Sequence, residues 1–246
     1  MNGSYLGPEY SQKQIELDLK KIGAKYQILS EEEILDKTAE DLSKGEAIGW
    51  FQGRMEFGPR ALGGRSILGD PRSSTIQKNL NLKVKYRESF RPFAPSILRE
   101  DLEKWFNINV DSPYMLMVAD LKKNKIIEMN EDQNKLFGIE KLNVKRSEIP
   151  AVTHVDYSAR IQTVHKDTNH IYFKLIQKFK EKTGCPLIVN TSFNVRGEPI
   201  VNTPSDAFNC FMGTELDKLI IGNCYLDKRI QDISLKKDYS KKFELD

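Results

Sequence analysis

The stretch GRMEFGPRALGGRSILGDPR, residues 53–72, holds five glycines, two prolines and four arginines within twenty residues. Glycine lets backbone bend closely around a ligand. Arginine carries a planar, fixed positive fork suited to phosphate or carboxylate. Gly58-Pro59-Arg60 and Gly63-Gly64-Arg65 each set an arginine beside such permissive backbone. Two readings follow: a solvated basic loop whose arginines pair with Glu56 and Asp70, or a bed for phosphates. The GxxxxGK[ST] spacing is missing, so the segment is not a P-loop.

The distribution of charge bears on that choice. Residues 54–91 contain six arginines and three lysines against Glu56, Asp70 and Glu88, a surplus of six positive charges. The whole chain is net +3, so the remainder is net −3. Positive charge gathered in one segment fits an anionic ligand, whereas the small total does not suggest bulk binding to nucleic acid or membrane. The 246 residues suit one large domain, with or without appendages, and 39% hydrophobic content is enough to bury a core. Three cysteines without paired spacing do not read as a disulfide framework, and three histidines show no metal-ligand spacing with them. No apolar run approaches a membrane span of about 20 residues. The N-terminal MNGSYLGPEY has neither the basic nor the apolar region of a signal peptide. These features fit a reducing cytoplasm.

Along the chain, Ile15, Leu19 and Ile22 share a helical face that Gly23 can end. Ser30 with Glu33 reads as a capping box, and Thr203-Pro204-Ser205-Asp206 as a strong helix start. Asn169 begins a helix whose face is Tyr172, Leu175, Ile176 and Phe179, and Gly184 is placed to end it. AIGWFQG, RSILGD, FAPSIL, PYMLMVADL, RIQTV, PLIVN and KLIIG read as strands. FAPSIL and PYMLMVADL are expected to be buried, and KLIIG to be the last strand. Residues 121–150 read as a polar surface excursion. Strands and helices intermix without a strict βαβ rhythm, which favours an α/β fold with a mixed twisted sheet and flanking helices. The expected division is an N-terminal linker and helix over 1–28, the main domain over 29–226, and a charged, frayed tail over 227–246.

Three further segments are candidates for chemistry. In KYRESFRPFAPSI, an extended backbone would put Lys85 and Arg87 on one face, able to grip one anion together; Arg91 follows just before a proline. The competing reading is aromatic packing of Phe90 and Phe93 with the arginines reaching outward. In NTSFNVRGEP, Asn190, Thr191, Ser192 and Asn194 sit where a buried strand emerges, either to orient a ligand or to cap the strand in a turn. In THVDYSARIQTV, His154, Asp156, Arg160 and Gln162 share a parity, so a strand would align them, as an acid–base pair, a metal site or a plain surface face.

Taken together, these phrases resemble the C-terminal module of the carbamoyltransferases that decorate nodulation factors and antibiotics. The match runs through GWFQGRMEFGPRALGGRSILGDPR, KYRESFRPFAPSIL, HVDYSARIQTV and NTSFNVRGEPIV, in that order. The resemblance implies a YrdC-like fold, whose K-x-R and S-x-N signatures correspond to Lys85-Tyr86-Arg87 and Ser192-Phe193-Asn194. It also implies a reaction: ATP and carbamoyl phosphate form carbamoyl-adenylate, and a separate Kae1-like, metal-bearing module passes the carbamoyl group to a hydroxyl. Lys85 and Arg87 are the expected catalytic residues. Arg54, Arg60, Arg65, Arg91, Arg160, Ser192, Asn194 and Arg196 are the expected substrate-binding residues, with Mg2+ accompanying ATP and no protein metal site. His154 and Asp156 are weaker candidates. The Kae1-like module is expected as a partner chain or missing domain, and neither nucleic acid nor membrane as a partner. Competing expectations are a threonylcarbamoyl-adenylate synthase acting in tRNA modification, and a non-catalytic nucleotide- or RNA-binding remnant.

Overall fold

The computed structural model describes residues 3–236 and Tyr239. Its elements run α1 Gln12–Lys21, β1 Gln27–Ile28, α2 Glu31–Ser43, β2 Ile48–Phe51, β3 Arg65–Gly69, α3 Ile76–Lys83, β4 Ala94–Leu98, α4 Leu102–Trp105 and β5 Met117–Asp120. They continue with α5 Glu131–Lys135, α6 Gly138–Leu142, β6 Ser158–Val164, α7 His170–Thr183, β7 Leu187–Ser192, α8 Pro204–Gly213, β8 Lys218–Ile221 and β9 Cys224–Asp227.

Short polar side chains start the principal helices by accepting first-turn N–H groups that have no partner inside the helix. Ser30 and Glu33 exchange hydrogen bonds at α2, and Thr203 and Asp206 do the same at α8 with Pro204 just behind. Asn169 accepts from the Tyr172 N–H at α7, and Gly184, in left-handed backbone at φ 75°, closes that helix. The predicted apolar face of α7 is buried, and so is that of α8 at Phe208, Phe211 and Met212.

Nine strands form one mixed sheet in the order β1-β9-β8-β2-β3-β7-β4-β6-β5. The pairs β2–β8 and β4–β6 are parallel and the others antiparallel. Strands β2, β3, β4 and β8 are buried at every position, which explains their largely apolar composition, with Arg65, Ser66, Ser96 and Lys218 as buried polar exceptions. Helix α7 lies on β4 and β7 and packs along α2, while α8 covers β2 and β8 and meets α1. The fold is thus the expected mixed α/β arrangement.

Three local expectations change. PYMLMVADL is not a buried strand: β5 covers only its last part, pairs with β6 alone, and leaves Met117 and Val118 exposed. KLIIG is not the last strand, because the chain turns at Gly222 and returns as β9, antiparallel to β8. The segment after Asp227 begins with short 3-10 turns over Lys228–Ile230 and Ile233–Leu235, and Tyr239 is buried; residues 237, 238 and 240–246 of the expected tail lie outside the described residues. Among the described residues, no helix is long and apolar enough to cross a membrane.

Candidate active site

Strand register brings the separate sequence phrases to one end of the sheet. Ser66 lies opposite Ser192, Ala94 opposite Asn190, and Ser96 opposite Gln162. The starts of β3, β4 and β6 therefore meet the finish of β7. The loops before those three strands and the loop after β7 carry the arginine-rich phrases.

They enclose a cleft of about 660 Å³ lined by Arg60, Arg87, Arg91 and Arg160, with Ser158, Asn190, Thr191 and Ser192 in its walls. An adjoining cavity of about 390 Å³ shares Arg87, Arg91, Thr191 and Ser192 and adds Lys85, Asn194 and Arg196. Eight of the ten expected site residues thus line these two neighbouring spaces. Phe93 is buried with the Arg87 guanidinium 4.9 Å from its ring centre, whereas Phe90 is 44% exposed.

The guanidinium groups in the cleft have little carboxylate to neutralise them. Arg91 has only a 4.0 Å ion pair with exposed Glu88. Arg87 binds the neutral Asn81 Oδ1 at 2.7 Å. Buried Arg160 Nε has no hydrogen-bond partner among the described residues. Burial, then the positive charge of Arg60, lowers the pKa of Arg160; burial, then Arg91, brings Arg87 down to about 10. A cluster that resists its own charge in this way is stabilised by an incoming anion.

Lys85 is buried and lines the adjoining cavity. Its ammonium donates to the Ser192 carbonyl, Ser192 Oγ at 3.2 Å, the Asn194 carbonyl at 2.9 Å and Asn194 Oδ1 at 2.7 Å. The two short signatures are therefore in direct contact. Lys85 and Arg87 do not share an extended face, because Tyr86 between them has φ 48°. Lys85 turns under the end of β7 while Arg87 turns toward Asn81 and Phe93.

Arg54 and Arg65 lie outside both cavities. Arg54 is exposed beside Glu9 at 3.5 Å. Arg65 is fully buried, stacks 3.5 Å above the Phe51 ring, and donates to the carbonyls of Pro8, Gln52, Gly53 and Gly64. Its guanidinium holds backbone together and presents no face to a ligand. Nor is Glu56 an arginine's partner: its Oε1 accepts from the Leu62 and Gly64 N–H groups at 2.6 Å and from Arg65 N at 3.3 Å. Asp70 does pair with an arginine, Arg72, at 2.6 Å.

Of three further side chains that set this site, Asn190 and Gln162 were among the sequence candidates and Asn81 was not. Asn81, completely buried, donates to the carbonyls of Ser89 and Arg91 and accepts from Arg87, so it shapes the loop that carries both arginines. Asn190 Nδ2 donates to the Ala61 carbonyl, Ser96 Oγ and Gln162 Oε1, and Gln162 Nε2 donates to the Leu62 carbonyl. These bonds and those of Glu56 fix the Gly58–Gly64 loop and hence the base of Arg60. The one legible signal was polarity out of place, as with Asn81 on the same side of α3 as buried Ile76 and Leu80. His154 and Asp156 line the cleft with Arg160, but not by strand alternation: β6 starts at Ser158, and Tyr157 at φ 64° turns the chain before it.

A family model described as carbamoyltransferase C-terminus matches residues 39–228. The nodulation protein NolNO of Sinorhizobium fredii is 40% identical over 92% of this chain and 31% of its own length. The 3'-hydroxymethylcephem-O-carbamoyltransferase of Amycolatopsis lactamdurans is 32% identical over 78% of the chain and 33% of its own length. An uncharacterized Synechocystis protein is 54% identical over the whole chain and 40% of its own length. The chain thus spans well under half the length of these relatives. Its match to the family model covers all four loops of the cleft, and the chain belongs to the carbamoyltransferase family as that family's C-terminal module.

Proposed function

We propose that this module activates a carbamoyl group for transfer, by joining the carbamoyl group of carbamoyl phosphate to AMP from ATP. The observation that carries this reading is the 660 Å³ cleft bearing four guanidinium groups with, among the described residues, one weak carboxylate pair. The balanced sequence begins with water splitting carbamoyl phosphate into carbamate and inorganic phosphate. A carbamate oxygen then forms a bond to the α-phosphorus of ATP, and the bond from that phosphorus to pyrophosphate breaks. Both steps bring anions together, and fixed cations favour them by positioning the reactants and stabilising developing charge. Arg60, Arg87, Arg91 and Arg160 hold phosphate and carbamate oxygens in this reading; Lys85 with Ser192 and Asn194, and Arg196 beside them, form the adjoining subsite. Arg54 and Arg65 have no contact role in it. In this reading Mg2+ accompanies the ATP phosphates. Transfer to a hydroxyl acceptor belongs to a Kae1-like module, as a partner chain or another part of the same protein.

The test is pyrophosphate release from Mg-ATP and carbamoyl phosphate, with mass detection of carbamoyl-adenylate. The wild type is expected to form both. Arg87→Ala is expected to lose at least ~100-fold in rate while keeping its melting transition. Release only with threonine and bicarbonate would select the threonylcarbamoyl reaction. No release, with or without a Kae1-like partner, would reject the adenylation reading.

A further inference from the structure

Carbamoyl phosphate and acetyl phosphate carry the same phosphate and carbonyl and differ in one group, NH2 against CH3. A guanidinium only donates hydrogen bonds and cannot sense an NH2. The arginines of the cleft therefore account for attraction of anions but not for choice among them. Choice needs an acceptor, and the lining provides few. Hydroxyls such as Thr191 both donate and accept, so they suit an oxygen as well as an NH2. Ser158 and Ser192 direct their hydroxyl protons to Asp156 and Asn194 at 2.7 Å each. The amide nitrogen of Asn190 is turned into the protein by its three acceptors, and its Oδ1 is closed off from solvent.

Asp156 is different. It is the only carboxylate lining the 660 Å³ cleft among the described residues. Ser158 N–H at 3.0 Å and Ser158 Oγ at 2.7 Å both bond to its Oδ1, which fixes the carboxylate against the start of β6. Those bonds, more than any neighbouring charge, lower its pKa and keep it an acceptor. Ser158 leaves its Oδ2 unengaged, and the residue is exposed at the cleft. A negative charge in a cleft built for anions weakens the binding of any anion that offers it no donor. Such repulsive elements are how sites gain specificity rather than affinity.

We propose that Asp156 is the specificity-determining residue of the cleft, the Oδ2 that Ser158 leaves unengaged accepting a hydrogen bond from the carbamoyl NH2 and disfavouring phosphates that present a methyl group or an oxygen there. The inference rests on the reading that the cleft receives carbamoyl phosphate. It is tested by calorimetric binding of carbamoyl phosphate, acetyl phosphate and inorganic phosphate to the wild type, Asp156→Asn and Asp156→Ala, with and without Mg2+. The wild type is expected to prefer carbamoyl phosphate over acetyl phosphate by about tenfold, as a hydrogen bond to a charged acceptor implies. In Asp156→Ala that preference is expected to vanish, with acetyl phosphate and inorganic phosphate binding as well as before or better. Asp156→Asn, which keeps an acceptor oxygen, is expected to fall between. A merely structural role would weaken all three ligands together. An unchanged preference in Asp156→Ala, or a parallel loss confined to Mg2+, overturns the proposal. Equal wild-type binding of carbamoyl and acetyl phosphate overturns it while leaving the cleft's role intact; wild-type binding of neither overturns both.

Discussion

At the residue scale, three buried or partly buried cations of this site, and Arg65 behind it, divide by what surrounds them. Arg65 meets only carbonyls and a ring, Arg87 meets an amide and open cleft, Arg160 opens on the cleft with its Nε unpaired, and Lys85 meets four oxygens of the β7 turn. Burial lowers the Lys85 pKa to about 7, against ~10.4 for an unfolded lysine. Between these values the unfolded chain binds a proton that the folded one has released, so folding stability from this group rises with pH from about 7 to about 10. Below pH ~7 both states hold the proton and the burial cost is fully present. Urea midpoints of the wild type should therefore gain over those of Lys85→Met as pH is raised through this window. An anion in the adjoining cavity restores the charged form. Pyrophosphate binding near pH 8 should then take up a proton, seen by calorimetry in buffers of different ionisation enthalpy. Lys85→Met should lose that uptake, and no uptake in the wild type would place Lys85 outside the anion's influence.

At the element scale, the Gly58–Gly64 loop depends on backbone that other residues do not provide. Gly63 has φ 105°, and a Cβ there would stand 2.6 Å from Cγ of the buried Tyr172 ring. Both the conformation and the contact oppose a side chain, so Gly63→Ala is expected to cost about 2–4 kcal/mol. Chemical denaturation measures this, and pyrophosphate affinity should fall with it as Arg60 is displaced. A Gly63→Ala protein of wild-type stability would show that the loop relaxes freely. Elements with strong local codes were legible in the sequence: Ser30–Glu33 and Thr203–Asp206 announced helices, and short, mainly apolar runs announced β2, β4 and β8. What local code could not convey was position in the sheet. β5 reads as apolar yet is exposed, because an outer strand has one neighbour; β9 was hidden because CYLD is short and mixed. Lys85 and Arg87 were rightly grouped with the cleft's phrases, but their relation through the left-handed Tyr86 follows from tertiary packing. Arg65 looked like Arg60 in sequence and differs only because β2 and the N-terminal segment close over it.

At the scale of the whole molecule, a surplus of six positive charges sits in residues 54–91 while the rest of the chain is net negative. Such a field attracts small anions and is screened within about 10 Å at 0.1 M salt. Pyrophosphate affinity is therefore expected to drop roughly tenfold between 0.05 and 0.5 M sodium chloride, measured by titration at constant pH. A flat salt response would mean that neutral contacts hold the ligand.

The hydrogen bonds beneath the Gly58–Gly64 loop also set a timetable for folding. Leu62 is held by Gln162 across 100 residues of chain, and Ala61 by Asn190 across 129. Closing such long intervals slows folding and comes after local helices have formed. During synthesis, Arg60 emerges well before the strands that hold its loop. The nascent chain thus carries the arginine of this loop unplaced until β7 has left the ribosome, and the cleft is among the last features to appear.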